Sequence, residues 1–67
     1  MVTTEEFWKS IKEAHVEELE DHKGYMHLAS LANDEHMHDV AGILKDIAHE
    51  EETHAQILSH ILDEMEE

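Results

Sequence analysis

Apolar residues recur along this chain at steps of three and four with almost no interruption. In the first half the stripe runs Phe7, Ile11, Ala14, then Tyr25, Leu28, Ala29 and Ala32. In the second half it runs Val40, Ile43, Leu44, Ile47, Leu58, Ile61 and Leu62. That spacing lines one face of an α-helix and is close to a heptad repeat. Pro is absent and Gly occurs twice, so nothing forces an early stop. Thr3 or Thr4 suits the N-cap of the first helix, with Glu5 and Glu6 in its first turn, where carboxylates favour the helix dipole. Asn33-Asp34 is the one clear break: Asn can close a helix in the left-handed conformation and Asp can cap the next. The pattern therefore predicts an all-α chain, a single antiparallel two-helix hairpin over 1–67. Helix 1 spans about 4–32, the turn is 33–34, and helix 2 spans about 35–64, with Met65 at its end. Each helix carries an oily face that two helices alone do not cover. The simplest solution is self-association into a four-helix bundle, as a dimer or a ring of dimers.

Polar residues interrupt both stripes at their centres. Glu18 stands where the first stripe wants an apolar residue, and Glu51 and His54 do the same in the second. Residues three apart share a helix face, so Glu51-x-x-His54 presents a carboxylate and an imidazole together. Burying them is costly unless something satisfies them, and both are good ligands for iron, manganese or zinc. Counted from a turn centred between Asp34 and Glu35, Glu18 and Glu51 are equidistant, each roughly 25 Å away at ~1.5 Å per residue. One hairpin then offers Glu18, Glu51 and His54 at one height. Two hairpins offer two single Glu and two Glu-x-x-His pairs, the ligand set of ferritin-like di-iron and di-manganese bundles. The expected metal is iron, two per dimer, with manganese or zinc as alternatives.

Other residues read differently. Glu35-x-x-His38 has no facing seam carboxylate and reads as capping and surface. Asp46-x-x-His49 lies off the main stripe. Glu50 and Glu52 compete with Glu51, which has the better spacing to His54. Glu17 and Glu20 read as solvated. His15 and His22 sit one turn either side of Glu18 and read as surface residues ahead of metal-site neighbours; His27, His36, His38 and His60 read as surface. Trp8 reads as a partly buried interface anchor. Tyr25 is core packing or a neighbour of the site. Gly24, inside the first helix, costs ~1 kcal/mol relative to Ala and suggests close approach of a neighbouring helix.

The segment Glu18-Leu-Glu-Asp-His-Lys-Gly-Tyr25, followed by Met-His-Leu-Ala, resembles the first ligand helix of rubrerythrins and related ferritin-like proteins. There a ligand Glu is followed seven residues later by a Tyr beside the site. Glu51-Glu52-Thr53-His54-Ala-Gln-Ile-Leu is similar to their second ligand helix, and the 33 residues from Glu18 to Glu51 suit that family. The resemblance covers roughly Ile11 to Leu62, half of a rubrerythrin four-helix domain. A one-hairpin chain is also similar to encapsulated ferritins, whose di-iron ferroxidase site forms between subunits. The resemblance implies an oxidoreductase that oxidises Fe(II) with oxygen or peroxide, for iron storage or detoxification. It implies Glu18, Glu51, His54 and Tyr25 as the catalytic residues, and an encapsulin shell as a partner. The chain ends at Asp63-Glu-Met-Glu-Glu, without the tail that targets such a shell. The alternatives are a non-catalytic di-metal-binding module and a purely structural helical oligomer.

Composition narrows these classes. The chain has 67 residues and a formal charge of -14, from 18 acidic and 4 basic side chains. Nucleic acid and anionic membrane surfaces call for the opposite sign, whereas cations are concentrated by it. Without Cys there is no disulfide, iron–sulfur cluster, rubredoxin-type centre or thiol nucleophile in this chain. No apolar run approaches the ~20 residues of a membrane span, and Met-Val-Thr-Thr-Glu-Glu is not a signal peptide. The expected location is the cytoplasm, or the inside of a protein nanocompartment.

Overall fold

The computed structural model describes residues 4–65, without the side chain of Met65. Thr3, one of the two expected caps, lies outside them. The protein is an all-helical hairpin of α1 (Thr4–Asp34) and α2 (His38–Met65), packed antiparallel along their length. It measures 49 × 20 × 15 Å, a single layer of two helices. No helix among the described residues is long and apolar enough to cross a membrane.

The turn lies later than the sequence pattern placed it, with its centre at His36 and not between Asp34 and Glu35. Asn33 and Asp34 complete the last turn of α1, and the break is 35–37. Three hydrogen bonds close it: Glu35 N–H to the Leu31 carbonyl (3.1 Å), His36 N–H to Asn33 (3.0 Å) and Met37 N–H to Ala32 (2.8 Å). The last two are the paired bonds of a Schellman motif, which requires a left-handed residue between them. That residue is His36, at φ 61°, and not Asn33. Asn33 serves the turn with its side chain, since its Oδ1 accepts from Nδ1–H of His38 at 3.0 Å. Asp34 does not cap α2, and Glu35 belongs to the turn, so Glu35-x-x-His38 is not a helical pair.

At its most enclosed points the contact between the helices is made of small residues. The fully enclosed positions are Ala29, Ala32, Ala41, Ala48 and Ala55, three of them spaced seven apart on α2. The half-buried residues of α1 continue the heptad: Trp8, Ile11, His15, Glu18, His22 and Tyr25. Alanine lets two backbones approach closely, but contributes little apolar area. The large apolar residues that the sequence pattern assigned to the oily faces are divided: Ile11, Leu44, Ile47, Leu58, Ile61 and Leu62 are half-buried, whereas Phe7, Leu28, Val40 and Ile43 are exposed, Ile43 at 61%, as is Ile57 outside the expected stripe. On α2 the exposed ones belong to a second stripe, Val40, Ile43, Ile47, Glu50, His54, Ile57 and Ile61, again at steps of three and four. Gly24 and Gly42 have open space where a Cβ would stand, so no helix of this chain crowds Gly24.

A non-glycine residue in the left-handed region costs roughly 1 kcal/mol. His36→Gly should therefore raise the unfolding free energy by about 1 kcal/mol, and His36→Val should lower it by a similar amount or more. Thermal unfolding followed by circular dichroism at fixed protein concentration checks both.

Candidate metal centre

Halfway along the hairpin the alanine seam gives way to polar residues. With the break centred at His36, eighteen residues separate it from Glu18 and eighteen from His54; fifteen separate it from Asp21 and fifteen from Glu51. Glu18 is therefore level with His54, and Asp21 with Glu51, one turn nearer the bend. The equal heights expected for Glu18 and Glu51 are replaced by this stagger. The three expected ligands still converge. One donor atom from each of Glu18, Glu51 and His54 lies within 4.8 Å of the others. His54 Nδ1 is 3.6 Å from Glu18 Oε2, ion-pair range but too long for a hydrogen bond.

Glu18 Oε2 is enclosed and accepts no hydrogen bond from the described residues. An acceptor left so costs about 1–3 kcal/mol. Glu51 makes matters worse for the ionised cluster. Its carboxyl is pushed above the usual range, first by the hydrogen-bonding proximity of Glu18, then by burial and by the charge of Glu18. His54 and Asp21 pull it back only partly. Two carboxylates and an imidazole that crowd one point, one oxygen without a partner, fit a cation better than they fit each other. The donor set of hard oxygens with one nitrogen suits iron, manganese or zinc.

The three residues differ in how they face the surroundings. Glu18 lies in the seam with its side chain 26% exposed, whereas His54 is 55% exposed and sits on the second, open stripe. The cluster thus stands at the edge of the hairpin. Tyr25 is half-buried two turns nearer the bend, lining a shallow depression of about 420 Å³ with Asp21, Gly24 and Leu28. It is not one of the converging residues. His15 is half-buried and Glu50 exposed. Asp21, near the cluster, escaped the sequence reading, hidden by the misplaced turn centre. His22, ranked there as surface ahead of a neighbour of the site, is half-buried, and its Nδ1–H donates to the Ala48 carbonyl of α2 at 2.7 Å. Its heptad position, midway between His15 and Ala29, was the available signal.

Comparison with known families decides the lineage. The rubrerythrin family model matches residues 9–67, which include all but the first residues of α1, the whole of α2 and the whole cluster. The chain belongs to the rubrerythrin family. A search of curated proteins and of solved structures finds no match. The rubrerythrin match makes this a chain of the di-iron carboxylate class, and the Glu18, Glu51 and His54 group has the residue types that class uses.

The raised Glu51 carboxyl has a consequence for stability. A carboxyl higher in the folded than in the unfolded chain favours folding while it is protonated. That contribution is complete below its ordinary value of 4.5 and is lost as pH rises through the higher folded value. Metal-free protein should therefore lose stability on going from mildly acidic to neutral pH. Glu51→Gln should flatten that loss and melt higher than wild type at pH 7; melting curves across this range check it.

Proposed function

We propose that this rubrerythrin-family hairpin is a di-iron carboxylate protein whose site is completed by a second copy, and that it oxidises Fe(II). The observation that carries the reading is the position of His54. It is a member of the three-residue cluster and, at the same time, a half-exposed member of the open Val40–Ile61 stripe. A partner that covers the stripe therefore also covers the site. A second copy brings its own Glu18, Glu51 and His54, so the pair offers four carboxylates and two imidazoles, enough for two divalent cations. Carboxylates balance their charge and bridge them, and one imidazole per metal leaves coordination positions open.

The apolar flank supplies the driving force for pairing. A standard interface takes ~800 Å² from each partner, roughly 15% of the 5270 Å² surface of this hairpin. Val40, Ile43 and Ile57, with Phe7 and Leu28 on the neighbouring flank of α1, are exposed and available for it.

The chemistry assigned is ferroxidation, with Fe(II) as substrate. Two Fe(II) each give up one electron; oxygen accepts both with two protons and leaves as hydrogen peroxide, or peroxide accepts them and leaves as water. The protein's part is to hold two cations close, to supply negative charge that favours the higher oxidation state, and to accept or release protons at Glu51. The acidic surface raises the local cation concentration. An encapsulin shell or another cage is a candidate destination for the oxidised iron.

Anaerobic Fe(II) titration of metal-free protein should saturate near about one iron per chain, as two hairpins sharing a two-metal site require. Admission of oxygen should then oxidise the iron and consume oxygen, with the assembly at least a dimer. Binding at that ratio without oxidation would reduce the protein to a metal-binding module, and no binding would leave a structural hairpin. Ile43→Asp, placing a charge in the open stripe, should dissociate the assembly and lower Fe(II) affinity in parallel, as sedimentation and titration on the same sample would show.

A further inference from the structure

We propose that His22 is a positioning residue, a latch that ties the α2 turn carrying Glu51 to the α1 turn carrying Glu18. Its imidazole reaches across 26 residues of sequence to the Ala48 carbonyl at 2.7 Å. A carbonyl can only accept, so the ring must carry its proton on Nδ1. Ala48 lies one turn before Glu51, and His22 one turn after Glu18. The bond therefore joins the two turns that flank the cluster.

The need for a latch follows from the alanine seam. Ala41, Ala48 and Ala55 are nearly or wholly enclosed, and Ala29 and Ala32 line the other side. Where the helices are most tightly enclosed the contacts are methyl groups, which fix the height of one helix against the other less firmly than large knobs in holes do. The turn defines it near His36, but the cluster is roughly 22–27 Å further along at ~1.5 Å per residue. A directional bond is the natural device at that distance. The same alanine makes the bond available: Ala48 is 0% exposed, and its small side chain leaves the carbonyl within reach of a ring packed against the helix. That carbonyl is inside α2 and already accepts from its own helix, but an oxygen has a second lone pair to offer. Around the cluster, no other side chain of the described residues bonds the backbone of the opposite helix. His22 is not itself part of the converging group, and its Nδ1 is engaged with Ala48.

That the aligned residues hold metal rests on the function proposed above; the latch belongs to the metal-free hairpin and is tested first there. Nitrogen-15 spectra of metal-free protein should show the His22 ring as the Nδ1–H tautomer with a proton slow to exchange. An Nε2–H ring would overturn the latch. Co(II), whose visible spectrum reports ligand geometry, then tests positioning. His22→Leu keeps bulk without a donor and should weaken Co(II) binding about 10–100-fold, the usual effect of losing an outer-shell partner, with a changed spectrum. His22→Asn keeps an N–H near the place of Nδ1 and should stay within about threefold of wild type with the original spectrum. Wild-type affinity in the Leu variant, or an Asn variant as weak as Leu, would overturn positioning. If the Leu variant does not fold, a loss of about tenfold or more in the Asn variant overturns it instead. Wild-type protein that binds no Co(II) would sink the metal reading alone, and the tautomer would still decide the latch.

Discussion

Carboxylate repulsion at the middle of the hairpin is the constraint around which the rest is arranged. Glu18 and Glu51 are brought close enough that the Glu51 carboxyl is pushed above its ordinary range, and an oxygen of Glu18 is enclosed with no donor to it among the described residues. Selection for stability alone would place two apolar residues there, since replacing buried charge by hydrocarbon is often neutral or favourable. A chain of 67 residues has little stability in reserve to spend on such a cluster. A cation reverses the sign of the interaction: the same proximity that raises Glu51 becomes the means of binding charge.

The cluster also explains how the two helices divide their apolar residues. Close approach is needed for side chains on different helices to converge within 4.8 Å, and alanine at Ala41, Ala48 and Ala55 allows it. Small residues at the most enclosed points of the seam leave several of the large ones for another face. Val40, Ile43 and Ile57 are exposed in the hairpin because the seam has no room for them. A hairpin so built leaves large apolar residues uncovered, and that exposed face is the counterpart of the narrow seam that makes the cluster possible.

Much of this was legible in the residue pattern. Helical periodicity with almost no breakers gave two long helices, and Glu18, Glu51 and His54 stood out because each occupies a stripe position that should be apolar. What pattern could not supply was the turn. Asn33-Asp34 carries the usual composition of a break, but the Schellman bonds put the left-handed residue at His36, which tolerates that conformation as Asn does but carries no turn signature of its own. Tertiary packing of Ala32, 5% exposed, holds α1 in register past Asn33 and overrides the local preference. Nor could periodicity tell which apolar residues face the sister helix and which face outward, because both stripes on α2 obey the same spacing.

The displaced turn has an effect well beyond the bend. In an antiparallel pair, moving the centre of the turn by about one and a half residues moves each residue's opposite number by three, nearly a full helical turn. Glu18 then faces His54 directly, and Asp21 arrives opposite Glu51, where it helps to hold that carboxyl down. Convergence of the three expected ligands survives because Glu51 and His54 are themselves one turn apart on one face: Glu18 meets whichever is level with it and remains near the other. A single residue pair would have lost its partner under the same displacement. The Glu-x-x-His spacing therefore does more than supply two donors. It makes the site tolerant of small changes in hairpin register, while the fine height is left to whatever bonds cross the seam, of which His22 to Ala48 is the one at hand.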